Sequence, residues 1–348
     1  MKTEYIERPD PGSGEGRNAI RRAGEIIRSG GLVVFPTETV FGLGANALDS
    51  DAAEKIYKAK GRPSDNPLII HIADRSEAAR YCETTELFDR LAARFMPGPL
   101  TVVLPAKPVI PKTVTAGLPT VAVRCPSHPV AHALIEASGV PIAAPSANLS
   151  GSPSPTTYAH VREDMDGRVD MILGGECMIG VESTIVRLDG LDALTLLRPG
   201  GITPEELGEF ARVTLSDAVL DKLKEGERVQ SPGMKYKHYA PKTPLYLLKG
   251  DREERMRFLS RLDRPFAVLA YTEEVSLCKS LAASPAVFDL GSVNKPEEQL
   301  HRLFYLLREA DKAGCERIYA PLPLPSGLSL ALYNRMIRAA AFQIISTE

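Results

Sequence analysis

Arg17-Asn-Ala-Ile-Arg-Arg-Ala-Gly-Glu-Ile-Ile-Arg-Ser29, then Gly30-Gly31, then Leu32-Val-Val-Phe-Pro36: an amphipathic helical pattern, a glycine pair and a β-branched apolar run follow one another without interruption. The helical pattern predicts a helix over Arg17 to Ser29, and the two glycines stand where a left-handed C-terminal cap is wanted. Leu32 to Pro36 predicts a buried strand. The same alternation continues outward. Further strands are predicted at Leu68 to Ala73, Leu100 to Pro105, Thr120 to Cys125, Pro141 to Pro145, Met171 to Leu173, Ser183 to Leu188 and Leu194 to Leu197, with longer helical patterns between most of them. One of these, Asp51 to Lys60, is capped by Asp49 or Ser50 and stopped by Gly61 and Pro63. The pattern is mixed α/β.

Beyond Arg212 the pattern loosens into a charged helix and then Ser231-Pro-Gly-Met-Lys-Tyr-Lys-His-Tyr-Ala-Pro241. From Thr243 a second series begins. It has strands at Leu245 to Leu248, Phe266 to Tyr271, Val287 to Leu290 and Arg317 to Ala320, a helix at Arg252 to Leu262, a long helix and a last helix. In the long helix Leu300, Leu303, Phe304, Leu307 and Ala310 share one face at the 3.6-residue period, as a helix covering a sheet should. The expected organisation is a first α/β domain over 1–212, a linker over 213–242 and a small α/β domain over 243–348, about the length an independent domain needs.

The chain has 348 residues, 44% of them hydrophobic, enough for two cores. Its 42 Lys and Arg balance 44 Asp and Glu, so no global field draws it to nucleic acid or membrane, and any polyanion site is local. The first residues, MKTEYIERPD, hold no apolar secretory segment, and no apolar run approaches the length of a membrane span. Cys82, Cys125, Cys177, Cys278 and Cys315 are odd in number and form no Cys-x-x-Cys pair, which argues against a disulfide framework and a thiolate zinc site. The expected setting is cytoplasmic. Trp is absent and aromatics are 6%, which disfavours a stacking platform for single-stranded nucleic acid.

Two segments could carry chemistry. Lys55-Ile-Tyr-Lys58-Ala-Lys60-Gly-Arg62-Pro-Ser-Asp-Asn66-Pro67 gathers four cations at a helix end that runs into a Pro-rich loop. Read alone, it is equally a helix C-terminus whose lysines complement the dipole. An Arg fork beside Lys point charges at a rigid turn also suits a triphosphate. Ala144-Pro-Ser146-Ala-Asn148-Leu-Ser150-Gly-Ser-Pro-Ser154 follows a short apolar strand, where open α/β sheets bind ligands, and read alone it is an ordinary turn. Gly42-Leu-Gly44-Ala-Asn-Ala47 imitates a dinucleotide-binding G-x-G-x-x-A, but Pro36 and the Thr-Glu-Thr run intervene and no βαβ unit of the right length follows. His128 and His132 share a helical spacing without a third ligand beside them, so a solvated pair is the better reading. No P-loop, zincin or nucleophile-elbow signature is present.

Taken in order, Phe35-Pro-Thr37-Glu-Thr39-Val-Phe-Gly-Leu-Gly44, Lys58-x-Lys60-x-Arg62-Pro, Ser146-x-Asn148, Val181-Glu-Ser183-Thr184, Leu197-Arg198-Pro-Gly and Ser231-Pro-Gly-Met-Lys-Tyr236 closely resemble the threonylcarbamoyl-AMP synthases, over nearly the whole chain. Phe41 stands where that family often has Tyr. The resemblance implies a twisted mixed-sheet catalytic domain with a small Rossmann-like α/β domain behind it. It implies an enzyme that joins L-threonine, bicarbonate or CO2, and ATP into threonylcarbamoyl-AMP and pyrophosphate, for threonylcarbamoyladenosine in tRNA. It assigns Thr39, His71, Arg124, Ala144 and Ser183 to threonine and its carbamate. Lys58, Arg62, Asn66, Thr120, Ser146, Asn148, Ser154, Arg198, Ser231 and Tyr236 fall to ATP, with Lys58, Lys60 and Arg62 as the catalytic cations. Magnesium is expected with the triphosphate, although no carboxylate cluster announces a protein-held ion. The expected partners are the downstream tRNA threonylcarbamoyl-transfer machinery and a weak tRNA contact, with no membrane. The segment around Ser231, Tyr236 and Tyr239 is expected to fold over the nucleotide as a lid. The rival of another class is an RNA-binding, translation-associated module without ATP chemistry. A nearer rival, the carbamoyl-transfer domain of hydrogenase maturation enzymes, carries Cys pairs that this chain lacks.

Overall fold

The computed structural model describes residues 2–221 and 239–348, which divide into two compact units: 2–150 with 154–221, and 151–153 with 239–348.

The first unit is built on eleven strands: β1 (Glu4–Ile6), β2 (Val33–Phe35), β3 (Gly42–Asn46), β4 (Ile69–His71), β5 (Leu100–Pro105), β6 (Thr120–Arg124), β7 (Ile142–Ala143), β8 (Met171–Leu173), β9 (Thr184–Leu188), β10 (Ala193–Arg198) and β11 (Arg212–Leu215). They join in the order β1-β8-β2-β3-β7-β4-β6-β5-β9-β10-β11 with mixed directions. The central strands β2, β4, β5 and β8 read as continuous apolar runs because both of their faces are covered. α1 (Gly14–Arg28) begins at Gly14, earlier than its apolar period suggests, because Ser13 accepts a hydrogen bond from the Gly16 N–H and caps it. Its Ile20, Ala23 and Ile27 pack with Leu134 and Ile135 of α3 (Pro129–Ser138) over Val33 and Phe35. α2 (Ser50–Lys60) is capped by Asp49 and closed by Gly61 at φ +61°, as its sequence requires.

The Gly42-Leu-Gly44 pair is a strand interior. A Cβ on Gly44 would lie 2.8 Å from both the Phe35 ring and the Ile142 side chain, so this glycine makes room for packing. β11 begins at Arg212 and pairs in parallel with β10, so the first sheet continues past the boundary read at 212. Its side chains are mostly exposed, which erased the apolar period.

The second unit holds five parallel strands, β12 (Leu245–Lys249), β13 (Ala267–Tyr271), β14 (Ala286–Gly291), β15 (Ile318–Pro321) and β16 (Ile344–Ser346), in the order β14-β13-β15-β12-β16. α4 (Pro296–Lys312) buries Leu300, Leu303, Phe304, Leu307 and Ala310, the face read from its period. Tyr239 is buried in this unit. Its ring stacks on Phe304 with centroids 5.2 Å apart, and the Arg335 guanidinium lies 5.4 Å from its centroid. These contacts engage the Tyr239 ring within the second unit.

Candidate active site

The register of the first sheet assembles the site. His71 at the end of β4 pairs with Arg124 at the end of β6, and Arg124 pairs with Thr101 on β5. Residues in register on neighbouring strands share a face. Thr101, Arg124 and His71 therefore form a row across three strands, all buried. Ser183, just before β9, joins it: Ser183 Oγ lies 2.8 Å from Thr101 Oγ1, and Arg198 donates to the Ser183 carbonyl from Nε at 3.1 Å and to its Oγ from Nη2 at 3.2 Å. Thr39 lies on the turn after β2, where Thr37 Oγ1 sits 2.7 Å from Thr39 Oγ1 and donates to the Val40 carbonyl at 2.6 Å.

Arg124 is 4% exposed. Its Nη2 donates to Glu38 Oε1 at 2.7 Å, while its Nε makes no hydrogen bond among the described residues. A buried donor without a partner is costly unless a ligand satisfies it. His71 Nδ1 lies 3.3 Å from the Ile142 carbonyl, which can only accept, so a proton on Nδ1 completes that bond. Burial first, and the Arg124 charge second, lower the His71 pKa to about 3. The imidazole is neutral at working pH.

That shift fixes a sign. A histidine whose folded pKa lies below its unfolded value binds fewer protons folded than unfolded, so stability falls as pH drops from 6.5 towards 3 and is level above that window. Replacing His71 by Gln is expected to flatten the decline of chemical-denaturation stability between pH 7 and 4, by up to about 1.4 kcal/mol per pH unit. An unchanged slope would show His71 to be solvated.

The cationic loop sits at the other end of β4. Lys60 is 3% exposed. Its Nζ donates to the Ser146 carbonyl, to the Asn148 carbonyl at 2.6 Å and to Asn148 Oδ1 at 3.3 Å, and Ser146 Oγ donates to the same Oδ1 at 2.6 Å. The two segments singled out in the sequence are thus one structure, stapled by an ammonium. Arg62 Nη2 donates to the carbonyls of Asn66 at 3.0 Å and Pro67 at 3.1 Å, and the Tyr57 hydroxyl donates to Asn66 O at 3.1 Å. The Asn66 side chain is 1% exposed, yet neither polar atom of its amide has a partner among the described residues. A buried amide orphaned among the described residues, beside the Arg62 guanidinium, marks a place for a polar ligand.

β4 connects the two ends. β7 runs antiparallel to it, with Ile142 opposite His71 and the Ala144 N–H donating to Ile69 O at 2.9 Å, so Ser146 continues towards the Asn66 end. Thr120 starts β6 at that same end. At about 3.3 Å per residue, His71 and the loop before β4 are separated by roughly 10 Å.

Lys58 does not join this group. It is 78% exposed, its nearest carboxylate is Glu54 at 3.7 Å, and it lines a separate cavity of about 850 Å³ with Arg22, Ile26, Lys55 and Arg168. Two helical positions from Lys60 place it on another side of α2. Ser154 donates to Glu182 Oε1. Ser231 and Tyr236 lie outside the described residues. Glu38, Thr101 and Glu182 escaped the sequence reading. Their only signal is a polar residue set between apolar or β-branched neighbours that must be buried, as in Val181-Glu182-Ser183-Thr184-Ile185.

His128 Nδ1 accepts from the Val130 N–H at 3.2 Å as a helix cap, and His132 Nδ1 lies 3.5 Å from Glu136. Among the described residues no group of three or more His, Cys, Asp or Glu could hold a metal ion. Burial raises the thiols of Cys82 and Cys125 to about 12, so neither is an activated nucleophile. No described helix is long and apolar enough to cross a membrane.

Residues 25–200 match the sequence family described as Telomere recombination (Sua5, YciO, YrdC), and residues 202–341 match the threonylcarbamoyl-AMP synthase C-terminal domain. The chain is 46% identical over 329 residues to the threonylcarbamoyl-AMP synthase of Pyrococcus abyssi, covering 94% of this chain and 95% of that one. It is 44% identical over 332 residues to that of Bacillus subtilis, covering 94% of each. The crystal structure of P. abyssi Sua5 complexed with L-threonine aligns with a TM-score of 0.87 at 41% identity, over 99% of both chains.

Proposed function

Because the chain belongs to the threonylcarbamoyl-AMP synthase family, whose members are nucleotidyltransferase-type enzymes that use ATP, we propose that its first sheet holds L-threonine at the His71–Arg124 end of β4 and ATP at the Asn66 end. The relatives' names and the threonine complex of the P. abyssi protein support the enzyme over an RNA-binding module. The observation that carries the placement is a pair of buried groups without a hydrogen-bond partner among the described residues, Arg124 Nε at one end and the Asn66 amide at the other.

In this reading the amino-acid carboxylate lies on the guanidinium of Arg124. Neutral His71 offers its ring, and Ser183 and Thr39 offer hydroxyls. The threonine amine adds to CO2, drawn from bicarbonate, and gives up a proton to become the carbamate. One carbamate oxygen then attacks the α-phosphorus of ATP as the bond to pyrophosphate breaks. Lys60, Arg62, Asn66, Ser146, Asn148 and Thr120 serve the nucleotide at the Asn66 end, some by contact and Lys60 also by holding its loop, while Ser154 and Arg198, bonded to Glu182 and Ser183, would meet the nucleotide where it reaches the threonine end. No protein nucleophile is needed. The work is positioning two reactants along β4 and neutralising phosphate charge. A carbamate is labile in water, so a secluded site favours it.

Magnesium would travel with the triphosphate. Of the buried carboxylates here, Glu38 is taken up by Arg124 and Glu182 accepts from Ser154, so among the described residues the side chains do not form an ion cage. The product fits a tRNA threonylcarbamoyl-transfer step downstream, and we place the enzyme in the cytoplasm with at most a weak tRNA contact. Incubation with ATP, bicarbonate and each amino acid in turn tests the reaction. Pyrophosphate and an adenylate should appear with threonine, and release independent of threonine would overturn the reading.

A further inference from the structure

Glu38 is 7% exposed and both its oxygens are engaged. Oε1 accepts from Arg124 Nη2 at 2.7 Å, and Oε2 accepts from the Ser127 N–H at 3.2 Å. Its backbone is tied as well, since the Ile179 N–H donates to the Glu38 carbonyl at 2.8 Å. Glu38 is therefore anchored at three points, and one of them is the guanidinium that the proposed function gives to the threonine carboxylate. We propose that Glu38 is the positioning residue of the amino-acid subsite: it takes one nitrogen of the Arg124 fork and turns the Nε side, which has no partner among the described residues, towards the substrate. This inference rests on the assignment of Arg124 to the threonine carboxylate.

The geometry gives Glu38 a second effect, on charge. An isolated guanidinium buried in a sheet is costly and recruits whatever anion is available. Paired with Glu38, Arg124 is neutralised as a unit and discriminates by shape: a planar carboxylate that meets the remaining edge of the fork is bound, while a spherical inorganic anion gains little. Glu38 sits between Thr37 and Thr39, whose hydroxyls pair at 2.7 Å. The same turn thus places Thr39 and holds Arg124. The charged or titratable groups facing this carboxylate from packed elements are Arg124 on β6, His128 at the start of α3, and the thiols of Cys125 and Cys177.

Three variants of the full chain separate the possibilities, read by calorimetric titration with L-threonine and by KM for threonine and for ATP at low and high sodium chloride. Glu38→Gln removes the charge and can satisfy only one of the two donors. It is expected to raise the threonine KM by about tenfold or more, with the ATP KM unchanged, and to make chloride compete with threonine where the parent is expected to be insensitive to it. Glu38→Asp keeps the charge that neutralises Arg124 but is a methylene too short to reach both donors. It should raise the threonine KM without creating chloride competition. Arg124→Lys tests the underlying assignment: unchanged threonine affinity there would remove Arg124 from the subsite, whatever Glu38 does. If Arg124→Lys loses affinity while both Glu38 variants bind threonine as the parent does and only melt earlier, Glu38 is a structural residue and the proposal fails. Should Glu38→Gln not fold, the threonine KM of Glu38→Asp decides alone.

Discussion

Lys60→Met is expected to lower turnover by about 10²–10³-fold and to reduce the unfolding free energy by ~2–4 kcal/mol. Methionine matches the length of the lysine stem, so the change removes the ammonium and little else. The carbonyls of Ser146 and Asn148 and the Asn148 amide oxygen then lose the donor that gathers them. With Ser146 Oγ also bonded to that amide oxygen, the loop loses its fixed form along with its counter-charge. Pyrophosphate release and urea unfolding measure the two effects. Lys58→Met is the control two residues away. At 78% exposure with a loose contact to Glu54, it should stay within ~0.5 kcal/mol of the parent and keep most of its activity. Similar losses in the two variants would mean that the cluster acts through its summed charge and not through the staple.

The second large effect is expected from Gly200→Ala. A Cβ there would stand 2.4 Å from the Thr184 nitrogen and 2.7 Å from both the Glu182 oxygen and the Ser183 carbonyl carbon. All three are backbone atoms, which cannot swing aside as a side chain would, so the strand entry at Ser183 must move. The expected cost is ~3 kcal/mol or more. Threonine affinity should fall with it, since Ser183 and its bonds to Arg198 and Thr101 are displaced. Gly208→Ala is the matched comparison. It ends a short helix, Pro204–Gly208, with nothing within 4 Å of a new Cβ, and should be neutral or stabilising by up to about 1 kcal/mol. Thermal melts of the pair, with threonine titration of each, distinguish a packing clash from a general intolerance of this region to larger residues.

The interior of the fold was legible in the sequence and its margins were not. Leu100–Pro105 and Met171–Leu173 stand where their apolar runs put them, because strands covered on both faces announce themselves. β1, β11 and β16 are edge strands with half-wetted side chains, and none was read as a strand, β11 falling in a stretch read as charged helix. β3 was obscured differently: Gly42 and Gly44 carry no strand propensity, and they are there because Phe35 and Ile142 occupy the space. For the site, single-residue chemistry was readable, and partnership was not. Lys58, Lys60 and Arg62 look equivalent in a list of cations, and only the helix phase and the Ser146 loop separate a solvated lysine from a buried one. Glu38 looked like one more polar residue in a turn, because a carboxylate's partner on a distant strand leaves no local mark.

β4 is only three residues long, Ile69–His71, and in the proposed arrangement it spaces the threonine end from the nucleotide end. That brevity restricts how the enzyme could change its substrate. Inserting one residue would turn His71 to the opposite face of the sheet, away from Arg124. Inserting two would restore the face and lengthen the gap by about 6.6 Å, more than a single extra methylene in an amino acid could span. Lineages drifting towards longer amines would therefore find no gradual path through this strand. They would have to alter the loops at its ends, which is where homologues that accept other amines should differ.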